Sequence, residues 1–161
     1  MSEVPFSAEE TLKIATLIEE NGKEFYEGMA SEADEEELYD LFKELAKEKR
    51  EHKVKFESML DEDDSTGRMD LNRQLYGKLE DSYLEALGDS KVFIPANENI
   101  QAAKDAETRG QLLEVAISLE KDTMLFLYDM LDRAKSDYDR RKIENIVKEE
   151  KNQIRRLIKF R

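Results

Sequence analysis

Apolar residues recur every three to four positions along four long stretches of the chain, and this spacing predicts four amphipathic helices. The predicted helices cover about residues 7–30, 35–60, 108–134 and 137–160. Ser7 precedes Glu10 by three residues, so each side chain can satisfy an amide that the first helix leaves unpaired. Both prolines, Pro5 and Pro95, lie outside the four stretches, so neither interrupts a helix.

The lengths of the connections predict how these helices pack. Short links join the first helix to the second and the third to the fourth, which makes each pair antiparallel neighbours. A long connection separates the two pairs, and it carries a shorter helix predicted over about 69–87. Residues 89–106 are expected to be irregular or weakly helical. We therefore predict a single all-α domain over residues 1–161, an antiparallel four-helix bundle with one long crossover.

Composition fits this fold and excludes several classes of partner. Charged residues make up 40% of the chain and apolar residues 39%, with only 6 glycines and 2 prolines, as is typical of long amphipathic helices. The formal net charge of −13 repels phosphate groups, so neither nucleic acid nor an anionic membrane surface is an expected partner. No apolar run approaches the roughly 20 residues of a membrane span, and the acidic N-terminus has no signal-peptide core. We therefore expect a cytoplasmic protein.

Cysteine is absent, which narrows the chemistry further. Disulfides, thiolate nucleophiles, iron–sulfur clusters and cysteine-ligated zinc are excluded.

Polar residues interrupt all four apolar stripes at positions that should face the core. They are Glu19 in the first helix, Lys49 and His52 in the second, Glu120 in the third, and Glu150 and Gln153 in the fourth. A charge that is buried without a partner is strongly destabilising. Four helices that each bury a charged residue are therefore expected to bring these groups together at one level of the bundle.

The two helix pairs also resemble each other. LIEENGKEFY aligns with SLEKDTMLFL, which places Glu19 on Glu120, and LAKEKREH aligns with IVKEEKNQ. The second alignment places Lys49 on Glu150 and His52 on Gln153. Both alignments use the same separation of 101 residues, which is unlikely to arise by chance and indicates an internal repeat.

These motifs resemble the rubrerythrin-like branch of the ferritin-like superfamily. Glu19 is followed seven residues later by Tyr26 of a Phe-Tyr pair, and the second helix carries LAKEKREH, close to the family pattern Leu-Ala-x-Glu-Glu-x-x-His. The resemblance covers essentially the whole chain, including the crossover. It implies a ferritin-like bundle in which one Glu from each of helices one and three, and Glu-x-x-His from helices two and four, hold two iron ions.

When the family pattern is transferred position by position, the resemblance implies that four residues are metal ligands. Two further ligand positions are substituted. The matching positions are Glu19, His52, Glu120 and Glu150, and the substituted ones are Lys49, where Glu is expected, and Gln153, where His is expected. A lysine ammonium has no lone pair to donate, and a glutamine carbonyl is a weak ligand for a transition metal.

The remaining charges favour one ion rather than two. Three carboxylates, one ammonium and a neutral imidazole leave a formal charge of −2, which a single divalent ion balances. We therefore predict that Glu19, His52 and Glu150 bind one iron ion, while Lys49 replaces the second ion and pairs with Glu120. Three protein ligands leave coordination positions open for water or oxygen.

The sequence is also compatible with other ligands and other numbers of ions at this site. Glu48 lies four residues before His52 and could reach the same metal, although its equivalent in the repeat, Glu149, is expected to point away from the bundle axis. The site could also hold two ions, or none, with Lys49 and hydrogen bonds satisfying the buried carboxylates.

The resemblance implies a non-haem iron oxidoreductase that acts on oxygen or peroxide. Because the chain has no cysteine-rich iron centre, electrons would come from an external donor, and a homodimer is plausible for a bundle of this kind. The rival prediction is a non-enzymatic helical bundle with a vestigial metal site, which acts as a structural or interaction module. Iron storage is a weaker third alternative, because no cage-forming surface is identifiable.

Overall fold

The computed structural model describes residues 8–63, 96–134 and 136–161. Within these ranges the chain forms five α-helices and no strand, which confirms the predicted all-α class. The helices are α1 (Ala8–Glu32), α2 (Glu36–Asp63), α3 (Ala96–Lys104), α4 (Arg109–Arg133) and α5 (Asp137–Phe160). The ends of the four long helices that fall inside the described ranges lie within two residues of their predicted positions.

The crossover differs in detail from the prediction. The helix predicted over 69–87 lies outside the described residues. The segment expected to be irregular or weakly helical contains α3, which packs against α1 and α4. Ala103 of α3 is buried, and Ile100 packs closely over Gly28 of α1. A nine-residue helix is marginal alone, so this packing stabilises it, and no local periodicity could reveal that.

Side-chain contacts fix the directions of the helices. Glu44 near the start of α2 pairs with Arg156 near the end of α5, whereas Lys55 further along α2 pairs with Glu149 earlier in α5. These two helices are therefore antiparallel. Short connections make α1 antiparallel to α2 and α4 antiparallel to α5, because the chain turns back within a few residues at each connection.

The apolar stripes meet in one hydrophobic core. Its largest fully buried side chains include Phe25, Tyr26, Phe42, Phe56 and Phe126. Full burial of a large apolar side chain stabilises a fold by about 1.5–3 kcal/mol, so the stripes supply the main driving force for bundle formation. In the described parts of the chain, no helix has the length and apolarity that crossing a membrane requires.

Candidate metal centre

The six polar residues singled out in the sequence are all buried in the bundle. Each is at most 1% exposed: Glu19 in α1, Lys49 and His52 in α2, Glu120 in α4, and Glu150 and Gln153 in α5. The spacing of three residues between the two members of each pair puts both on one face of their helix, towards the bundle axis. The first five form one connected network of contacts, which we call the polar layer. Gln153 lies beside it.

Lys49 is the central cation of the polar layer. Its Nζ lies 2.8 Å from Glu120 Oε1, 2.8 Å from Glu150 Oε1 and 3.9 Å from Glu19 Oε1. Burial lowers the pKa of this ammonium, but the charges of the three carboxylates outweigh burial and raise the pKa above its usual range. The expected contact with Glu120 is present, and Glu150 shares the same ammonium.

His52 lies between carboxylates on both edges of its ring. Nδ1 is 3.0 Å from Glu150 Oε2 and 3.5 Å from Glu19 Oε1, while Nε2 is 2.6 Å from Glu149 Oε1. Burial lowers the pKa of the imidazole, but the hydrogen bond to Glu150 and the nearby carboxylate of Glu19 outweigh it and raise the pKa to about 11. In the metal-free protein the raised pKa favours a ring that carries both protons, whereas the charge count describes the neutral ring that binds a metal.

Glu120 is held from two sides. Lys49 Nζ donates to its Oε1 at 2.8 Å, and the hydroxyl of Tyr26 donates to its Oε2 at 2.6 Å. Burial raises the pKa of Glu120, and the neighbouring charge of Glu150 adds to that effect while Lys49 opposes it. Because both oxygens accept hydrogen bonds, this geometry suits the ionised carboxylate.

Tyr26 contacts the polar layer, although it was not among the polar residues singled out in the sequence. Its side chain is fully buried, and burial together with Glu120 raises the pKa of the phenol well above its usual value. Two signals point to this contact in retrospect. A buried tyrosine hydroxyl needs a hydrogen-bond partner, and Tyr26 lies two helical turns after Glu19 on the same face of α1.

Glu19 is the least satisfied member of the layer. Neither of its carboxylate oxygens receives a hydrogen bond from the described residues, and both are buried. Burial raises the pKa of Glu19, but the charges of Lys49 and His52 lower it overall, so the carboxylate is ionised. An unsatisfied buried acceptor costs about 1–3 kcal/mol, and a cation bound at Glu19 would remove that cost.

The residues around Glu19 fit a cation. Glu19, His52 and Glu150 each offer one ligand atom, and these three atoms lie within 4.8 Å of one another. Two carboxylates and an imidazole are donors that suit iron(II) and similar divalent ions. The site predicted from the sequence contains the same three residues.

Of the two carboxylates next to the layer, Glu48 has the surroundings expected of a residue that is not a ligand, and Glu149 does not have the expected ones. Glu48 does not face the three candidate ligands, because its Oε1 accepts from Gln153 Nε2 at 3.0 Å and from Arg156. Glu149 does not point away from the bundle axis, since it contacts His52. Which of two adjacent glutamates meets the histidine depends on the rotation of α5 about its own axis, and periodicity alone does not fix that angle.

A comparison with solved structures identifies the architecture. The chain is similar to a crystal structure from Thermotoga maritima of a protein described as a candidate ferritin-like diiron-carboxylate protein, with a TM-score of 0.69. The match covers 96% of this chain and 93% of the other, at 23% sequence identity. The fold is ferritin-like. No protein-family model and no curated protein gives a match.

The ferritin-like fold accounts for the position of the polar layer. In such bundles the metal ligands project into the core from facing helices, and the layer here draws residues from four helices in the same way. At this level of identity the comparison establishes the fold, so what the chain binds has to be argued from its own residues.

Proposed function

We propose that this chain binds one divalent metal ion, with iron(II) as the preferred ion, through Glu19, His52 and Glu150. The observation that carries the proposal is the convergence of three ligand atoms within 4.8 Å, where neither oxygen of the buried Glu19 accepts a hydrogen bond from the described part of the chain. The imidazole and two carboxylates leave coordination positions open, as in other mononuclear non-haem iron sites.

The other residues of the layer have separate roles in this proposal. Lys49 supplies the positive charge that a second ion would bring, because its ammonium is shared by Glu120 and Glu150. Tyr26 holds the second oxygen of Glu120. To bind a metal, His52 has to release the proton on Nδ1, since an imidazolium has no lone pair.

The proposed activity is an oxidoreductase reaction with oxygen or peroxide, in the manner of rubrerythrin-like proteins. When bound, iron would supply the one-electron chemistry, and the buried layer would keep bulk water away from it. An external electron donor belongs to the proposal, because the chain contains no cysteine for an iron–sulfur centre. A cytoplasmic location and a homodimer complete it.

Anaerobic titration with iron(II), followed by elemental mass spectrometry, tests the proposal. The protein should be purified without chelator or affinity nickel. We expect about one ion per chain, lost in His52→Ala and retained in the matched variant Gln153→Ala, which alters the equivalent position of the repeat. Two ions per chain would contradict the role given to Lys49.

A second candidate function is a non-enzymatic helical module. It is favoured by the contacts of Lys49 and His52, which already balance much of the buried negative charge without a metal. Absence of binding in the same titration, by a chain that circular dichroism shows to be fully helical, would support this module and reject the metal site.

A further inference from the structure

Two equivalent pairs flank the polar layer. His52 Nε2 lies 2.6 Å from Glu149 Oε1, and Gln153 Nε2 donates to Glu48 Oε1 at 3.0 Å. In the alignment of the two helix pairs, which are 101 residues apart, His52 is equivalent to Gln153 and Glu48 to Glu149. The internal repeat is therefore preserved in the contacts around the layer as well as in its ligand positions.

A basic residue contacts the glutamate of each pair, and the two contacts differ in their exposure to solvent. Lys55 Nζ lies 3.6 Å from Glu149 Oε2, and both side chains are 48% exposed. The equivalent cation, Arg156, contacts Glu48 and also Glu44, and its side chain is only 20% exposed. Arg156 thus fixes Glu48 in a closed ion-pair network, whereas the contact between Lys55 and Glu149 is long and exposed to solvent, so it competes weakly for Glu149.

We propose that Glu149 is the positioning residue of the metal centre, which holds His52 so that Nδ1 faces Glu19 and Glu150. This inference rests on the proposed function. Glu149 accepts from Nε2, and a ring nitrogen that keeps its hydrogen for a carboxylate leaves the other nitrogen free to bind a metal. The same hydrogen bond prevents rotation of the ring, because rotation would break the 2.6 Å contact.

The equivalent pair supplies a matched control. Glu48 holds Gln153 through a similar contact, but an amide presents no imidazole nitrogen to the layer, and Glu48 is already paired with Arg156. Removal of Glu48, which is 26% exposed against 48% for Glu149, alters the equivalent carboxylate on the facing helix without touching His52. Any effect specific to Glu149 therefore reports on the histidine rather than on packing between α2 and α5.

Zinc(II) is a suitable diamagnetic probe for the test. His52 is the only histidine in the chain, so nitrogen-15 NMR can read which of its ring nitrogens binds zinc and which keeps hydrogen. We expect zinc on Nδ1 and hydrogen on Nε2 in the wild type. Glu149→Ala should weaken zinc affinity by about 10- to 100-fold and remove the preference for one nitrogen. Glu149→Gln should recover much of the affinity, because its amide oxygen still accepts from Nε2.

Three outcomes separate this inference from the function on which it rests. If Glu149→Ala retains the wild-type affinity and tautomer while His52→Ala loses binding, the site stands and the positioning role is overturned. Equal losses in Glu149→Ala and Glu48→Ala would also overturn it, since the effect would then be general. If His52→Ala binds zinc as tightly as the wild type, the proposed site itself is wrong.

Discussion

At the scale of single residues, Lys49 underlies the proposal of one metal ion rather than two. It lies where the family pattern has a glutamate, and it supplies a buried positive charge within 2.8 Å of two carboxylates. Removal of one partner from a buried ion pair leaves the other charge uncompensated, which is more damaging than loss of a surface pair. The lysine is therefore a structural requirement of the metal-free bundle.

Lys49→Met keeps much of the side-chain volume and removes the charge. We expect it to reduce the free energy of unfolding by about 3–5 kcal/mol, measured by urea denaturation. The matched control is Lys53→Met in the same helix, whose pair with Glu20 is partly exposed and should contribute less than about 1 kcal/mol. Equal stability of the two variants would show that Glu120 and Glu150 do not depend on Lys49.

His52 should make the stability of the metal-free protein depend on pH. Its pKa is about 11 in the folded chain against an ordinary 6.5, so the folded state binds this proton more tightly than the unfolded state. The stabilisation is complete below pH 6.5 and is lost as the pH rises through about 11. We expect the free energy of unfolding to fall over this range by more in the wild type than in His52→Gln, which has no titratable ring.

Proton NMR of His52 gives an independent measurement. In metal-free protein the ring should remain doubly protonated at pH 8, because both nitrogens face carboxylates. A titration midpoint near 6.5 would contradict this account of the polar layer.

At the scale of helices, the sequence predicts the parts of the structure that depend on local spacing. The spacing of apolar residues predicted the four long helices and the burial of Glu19, Lys49 and Glu150. Both follow from sequence because the buried face of a helix is set by positions along that helix. The spacing did not reveal that α3 is ordered or that Glu149 contacts His52. Both depend on the relative placement of different helices, which a period of three to four residues does not encode.

The packing of α3 on α1 can be tested at Gly28. A Cβ atom added there would lie 2.8 Å from Cδ1 of Ile100, so the isoleucine would have to shift. Alanine also favours a helix by about 1 kcal/mol over glycine. We expect Gly28→Ala to stabilise the protein by about that amount in an Ile100→Ala background and by clearly less in the wild type, measured by urea denaturation. Equal effects in both backgrounds would place Ile100 away from Gly28.

At the scale of the whole molecule, two helical hairpins with the same polar pattern face each other across the layer. Lys49 pairs with Glu150, which is its own equivalent in the other hairpin. The contacts of His52 with Glu149 and of Gln153 with Glu48 repeat the relationship. The two halves therefore retain a common framework, and they differ at the positions of Lys49 and His52, which are Glu150 and Gln153 in the other half.

This framework predicts the outcome of converting one half into the other. Lys49→Glu together with Gln153→His supplies both missing ligand types, and Glu48 is already in place to hold the new histidine. We expect about two iron(II) ions per chain, measured by anaerobic titration and elemental analysis. Lys49→Glu alone should be strongly destabilised without metal, because four carboxylates would then share the layer. One ion or none in the double variant would contradict the ligand assignment.

The ammonium of Lys49 has a consequence for how the protein behaves when metal is scarce. A metal ion can be removed by a chelator or fail to arrive, but a charge on a side chain is present as soon as the chain is synthesised. Lys49 therefore offsets one of the two negative charges of Glu120 and Glu150 from the outset, which favours folding of the bundle before any ion is bound. A shortage of metal ions would then leave the chain folded.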